Sequence, residues 1–135
     1  MDDDGPQGYE QEFTTVINRR SQIRIGLSTE KGDVTRFFVQ LEYWREGDWM
    51  EVVRFDHNPN TEFGHDITED GLHMDIYRDG EKHRVREDFP AVKLNRAPRY
   101  CTVYIREHAD RILRRFEKWH NVNATDRCQT RRSTR

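Results

Sequence analysis

Residues 34–56 read VTRFFVQLEYWREGDWMEVVRFD, the pattern of two strands joined by a tight turn. Phe37, Val39, Leu41 and Tyr43 alternate with Arg36, Phe38, Gln40 and Glu42. Successive side chains of a strand point to opposite faces, so one set lines a core and the other looks away from it. The run stops at Arg45-Glu46-Gly47-Asp48, a cluster of turn formers, and Trp49 to Asp56 resumes the strand signal. Residues 34–56 therefore read as a β-hairpin.

Working outward, Glu12 to Ser28 holds one or two further strands, with Ile23, Ile25 and Leu27 alternating against Gln22, Arg24 and Gly26. Glu30-Lys31-Gly32-Asp33 is a turn. Beyond the hairpin, Asp56 to Gly71 is a loop punctuated by Pro59, Gly64 and Gly71. Asp66 and Glu69 have the spacing that caps a short helical turn. Leu72 to Tyr77 returns to alternation, Asp79-Gly80 is a hairpin turn, and Lys82 to Arg86 is its second arm. From about Pro98 to His120, Cys101, Ile105, Ala109, Ile112, Phe116 and Trp119 recur at helical spacing and form one apolar stripe. The expected architecture is α+β: an antiparallel meander sheet of about five strands with one long C-terminal helix packed on a face.

The chain has 135 residues, 36% of them charged and 33% hydrophobic. That length suits one domain, spanning 12–120, and its core must lean on the large area buried by 15 aromatic residues. Residues 1–11 are acidic and 121–135 basic and polar; neither can bury enough apolar surface to order itself, so both are expected to be disordered tails. Cys101 and Cys128 are too few for a disulfide framework. No apolar run is long enough for a membrane span or a leader, and the expected location is the cytoplasm. The net charge of −2 hides a basic end, since residues 97–135 carry ten basic against four acidic groups. Arg111, Arg114, Arg115 and Lys118 on one helix face are a candidate nucleic-acid surface; a solvated helix face is the plain alternative.

Chemistry gathers between Val52 and Tyr77, which holds three of the six histidines, His57, His65 and His73. If Val53 and Phe55 point inward, Arg54 and Asp56 point out; if Leu72, Met74 and Ile76 point inward, His73 and Asp75 point out. Pairing of the two strands then collects Arg54, Asp56, His73 and Asp75 on one face, with His57, Asn58 and His65 added by the loop. Imidazoles beside carboxylates can move protons near neutral pH, and an arginine can grip a phosphate with two hydrogen bonds. Solvated cross-strand polar pairs are the alternative. The histidine spacing matches no compact metal-ligand pattern, so neither metal nor cofactor is expected.

The run Val53-Arg54-Phe55-Asp56-His57-Asn58, a glycine-containing loop with His65, then His73 ahead of a hairpin and a C-terminal helix resembles the TumE-like toxins of prokaryotic toxin–antitoxin modules over residues 34–120. The resemblance implies a prokaryotic cytosolic protein directed at RNA, with an antitoxin-type protein partner. As a metal-independent ribonuclease, it would use His73 or His57 to take a proton from the ribose 2′-OH. Arg54 would steady the phosphate, Asp75 would orient the imidazole, and His65 would protonate the leaving oxygen. The rival is a non-catalytic protein-interaction domain, suggested by the surplus of Trp44, Trp49, Phe63 and Tyr77 over what one small core needs.

Overall fold

A computed structural model of the chain describes residues 8–61 and 64–122. Six strands follow one another in space as they do in sequence: β1 (Gln11–Asn18), β2 (Ser21–Glu30), β3 (Asp33–Arg45), β4 (Asp48–His57), β5 (Met74–Arg78) and β6 (Glu81–Arg86). All neighbours are antiparallel. A single turn, α1 (Ile67–Asp70), lies between β4 and β5, and the long helix α2 (Ala97–Trp119) ends the fold. The class is α+β as the alternation dictates, with the 12–28 stretch resolved into two strands.

Three of the hairpin turns have two residues each, both at positive φ: Lys31-Gly32, Glu46-Gly47 and Asp79-Gly80. That geometry matches the right-handed twist of the flanking strands, and glycine holds the second position without a Cβ penalty. It also sets the register, because a two-residue loop leaves no slack.

Helix α2 lies over β2, β3 and β4. Its Cys101, Ile105, Ile112, Leu113 and Phe116 meet Ile23, Ile25, Phe37, Val39, Leu41, Tyr43, Val53 and Phe55 in one buried cluster. The helix carries Pro98 in its first turn and stops where Asn121 adopts φ 58°, a left-handed conformation that asparagine tolerates. A bulge opposite Leu41 and Glu42 adds Val52 to β4, so Val52 and Val53 are both buried. Deep burial pushes the Cys101 thiol pKa up, so it is an inert core residue.

The ordered domain begins earlier than the composition suggests. Tyr9 is buried against Phe38 with ring centroids 5.0 Å apart, and Gly8 O accepts from Arg36 at 2.6 Å. At the other end, Val122 N–H donates to Glu117 O at 2.8 Å. The remaining parts of the two expected tails, 1–7 and 123–135, lie outside the described residues, as do Cys128 and Phe63. No helix among the described residues is long and apolar enough to cross a membrane.

Candidate active site

The sheet face away from α2 is built by the second set of alternating residues. The register pairs Phe38 with Asp56, Gln40 with Arg54 and Arg54 with Asp75, so side chains of β3, β4 and β5 stand side by side. They are not a solvated fringe. Gln40 is 1% exposed, Asp75 3% and Arg54 8%. Polar groups at that depth need partners, and they form a chain of them. Arg24 Nε donates to Glu42 Oε2 at 2.9 Å, Gln40 Nε2 to the same oxygen at 2.6 Å, and Arg54 Nη1 to Gln40 Oε1 at 3.1 Å. Arg54 Nε then reaches Asp56 Oδ2 at 3.0 Å. The guanidiniums of Arg24 and Arg54 lie over the Phe38 ring, 4.9 and 4.6 Å from its centre. Gly26 makes room for that ring, since a Cβ there would overlap the Phe38 side chain.

The chain of contacts ends at an imidazole. His65 Nδ1–H donates to Asp56 Oδ1 at 2.9 Å, and Arg54 holds the other oxygen of the same carboxylate. The loop that delivers His65 is closed by Asn58 N–H donating to His65 O at 2.9 Å. Gly64 passes so close to the Asn58 carbonyl that a Cβ would collide with it. The hydrogen bond to Asp56 raises the His65 pKa above 6.5 against the opposing effect of burial. Burial works to raise the Asp56 carboxyl, but His65 and Arg54 outweigh it and hold the pKa below 3.8. His73 lies edge-on to His65, with ring centroids 5.0 Å apart. Asp75 receives Lys82 Nζ at 3.5 Å on Oδ2. Its Oδ1 is buried and accepts no hydrogen bond among the described residues. Burial and the nearby carboxylates of Glu51 and Asp75 push the Tyr77 hydroxyl up to about 12.

The structure brings Arg54, His65, His73 and Asp75 onto one face and takes His57 away. Strand β4 continues through His57, so this residue shares the inward parity of Val53 and Phe55. It is 3% exposed and packs near Phe37, with ring centroids 6.3 Å apart. Ile67 N–H donates to His57 Nδ1 at 3.1 Å. Burial lowers its pKa below 6.5: it is a neutral histidine that anchors α1, correcting the expectation of a proton acceptor. Arg54 is likewise committed to Asp56, Gln40 and Phe38, so it positions Asp56 instead of gripping a phosphate. Asp56, not Asp75, orients an imidazole, and the imidazole is that of His65. An accessible cation on this face is Lys82, whose side chain is 47% exposed. Counting back from the Asp79-Gly80 turn places Lys82 opposite Tyr77 and on the Asp75 face, so this residue was legible in the sequence.

Asp56, His65 and Asp75 each offer a ligand atom within 4.8 Å of the others, which is a set able to hold a divalent cation. The histidine spacing did not reveal this set, and both of its carboxylates also carry a cationic neighbour, Arg54 and Lys82. Of the helix residues expected to contact nucleic acid, Arg111 and Arg115 line a groove, while Arg114 and Lys118 are exposed outside its lining.

Neither the comparison with curated proteins nor that with solved structures found a match. A family model does match residues 8–122, which spans all the described residues, from Gly8 beside the buried Tyr9 to Val122 just beyond the end of α2. The chain therefore belongs to the family described as a domain of unknown function, DUF7718.

Proposed function

We propose that the far face of the sheet is an acid–base site acting on RNA, in a small prokaryotic cytosolic protein of the toxin type that pairs with an antitoxin-type partner. The observation that carries this reading is the Arg54–Asp56–His65 relay, which starts from a buried guanidinium and ends on a partly exposed imidazole lying 5.0 Å from a second one, His73. A relay of this kind fixes the imidazole's orientation and favours its charged form. His65, whose charged form Asp56 favours, acts as the acid and His73 as the base. His73 takes the proton of a ribose 2′-OH as the 2′-oxygen bonds to the adjacent phosphorus. The P–O5′ bond breaks, and the departing oxygen receives the proton from His65. The products are a 2′,3′-cyclic phosphate and a free 5′-hydroxyl. Lys82 faces the phosphate as charge develops. The 2′-OH is the nucleophile, so the protein need supply none.

The test is cleavage of a short single-stranded RNA by the purified protein, with product ends identified by mass. His65→Ala and His73→Ala are expected to lower the rate by about a hundredfold or more, and His57→Ala to leave it near wild type. Intact RNA with the wild-type protein, together with normal bacterial growth on its expression, would remove the reading.

The interaction-domain alternative has its own observation. An apolar groove of about 440 Å³ between β1–β2 and the start of α2 is lined by Phe13, Ile25, Leu27, Pro98 and Val103. Phe13 and Val103 are exposed there, and surface of that kind marks docking sites.

A further inference from the structure

The helix leaves part of its own side of the sheet uncovered. It lies over β2, β3 and β4, so the helix-facing side of β5 and β6 forms one wall of a groove with α2. The groove has a volume of about 590 Å³, within the range of small-molecule sites, roughly 300–1000 Å³. Its floor is apolar: Met74, Ile76, Ile112 and Tyr104. Its rim is not. The register sets Arg84 across from Ile76 and Arg86 across from Met74, so the last strand carries arginines where its neighbour carries core residues. Arg111 and Arg115 face them from α2.

Four arginines thus converge from two elements against two carboxylates, Glu87 and Asp88. Asp88 is spent on Arg86, at 2.7 Å from Nε, and Arg86 Nη1 also donates to Tyr104 Oη at 3.0 Å. Among the described residues no carboxylate pairs with Arg84, Arg111 or Arg115. Arg115 Nε is buried and makes no hydrogen bond among them. Burial, then repulsion from Arg84 and Arg111, lowers the Arg115 pKa. Like charges gathered in a concave site, with a buried donor unspent, are the arrangement an anion relieves.

We propose that this groove binds a nucleotide phosphate ester, free or within RNA, with the phosphate on Arg84, Arg111 and Arg115 and the nucleoside on the Met74–Ile112–Tyr104 floor. Arginine suits phosphate because its planar fork offers paired N–H donors. The apolar floor beside the arginines distinguishes a nucleotide from a bare anion. This inference stands apart from the acid–base site, which occupies the opposite face, and it is read by binding, not by cleavage.

The experiment is calorimetric titration of the intact protein with AMP, adenosine, a short single-stranded RNA and a polyglutamate peptide. AMP or the RNA is expected to bind, and adenosine to bind more weakly by about tenfold or more. Binding to AMP alone identifies a free nucleotide; binding to the RNA alone identifies a backbone tract. Two charge-matched double variants locate the site. Arg84→Glu with Arg111→Glu should weaken binding by about tenfold or more, whereas Arg114→Glu with Lys118→Glu, on the same helix but outside the groove, should stay within about twofold. The positions changed are exposed, and circular dichroism checks the fold of each variant. Equal weakening by both variants, equal binding of adenosine, equal binding of the peptide, or no binding of either phosphate probe would overturn the proposal.

Discussion

His65 and Asp56 meet across the loop that leaves β4: Nδ1 lies 2.9 Å from Oδ1, and Arg54 holds the second oxygen of that carboxylate at 3.0 Å. The pair is the point at which a buried polar layer becomes a group able to exchange protons with something outside.

The two histidines of this region are expected to titrate in opposite directions. His65 gains a proton-stabilising partner, so its pKa lies above 6.5; His57 is buried as an acceptor, so its pKa lies below 6.5. By linkage, the stability contributed by His65 is present below pH 6.5 and lost as pH rises through its folded pKa. That contributed by neutral His57 is present above pH 6.5 and lost as pH falls through its folded pKa. Imidazole proton shifts in an NMR titration check this, and identical midpoints would contradict it.

Asp56→Asn removes the charge that holds the His65 proton. The alkaline limb of the proposed RNA cleavage should move to lower pH, because the acid loses its proton earlier. Stability should fall by about 1–3 kcal/mol as Arg54, largely buried, loses its carboxylate. A pH–rate profile measured beside a urea melt separates the two effects; an unmoved limb would detach Asp56 from the acid.

His57→Ala strips the acceptor from Ile67 N–H and leaves a gap near Phe37. The expected loss is about 1–3 kcal/mol in stability, with cleavage per folded molecule unchanged. Comparable losses of activity in His57→Ala and His65→Ala would place both histidines in the chemistry and contradict the geometry.

Gly26→Val tests the support beneath Arg54. A side chain at 26 must displace Phe38, the ring against which Arg24 and Arg54 lie. Overpacking of this kind costs about 1–3 kcal/mol, and it falls on the ring that supports Arg54. A variant with wild-type stability would show that the ring has room to spare.

Chelation decides between proton and metal chemistry at Asp56, His65 and Asp75. The proposed cleavage is expected to survive EDTA, and zinc is expected to leave the melting temperature in place. A zinc-dependent rise that Asp75→Asn abolishes would assign Asp75 Oδ1, which accepts no hydrogen bond among the described residues, to a cation.

Strand and helix periodicity, turn chemistry and the outward parity of Arg54, His73 and Asp75 were all determined by the sequence itself. These features depend on neighbours along the chain: a period of two or of 3.6 residues, and a glycine where φ must be positive. Only tertiary structure decided which carboxylate took which imidazole. His57 was taken from the candidate set because β4 runs one residue further than its turn residues suggest, which flips that side chain into the core. The arginine groove was beyond sequence reading for a similar reason. Arg84 and Arg86 alternate like ordinary surface residues, and only the path of α2, set by packing over β2 to β4, leaves them facing Arg111 and Arg115 across an uncovered strip of sheet.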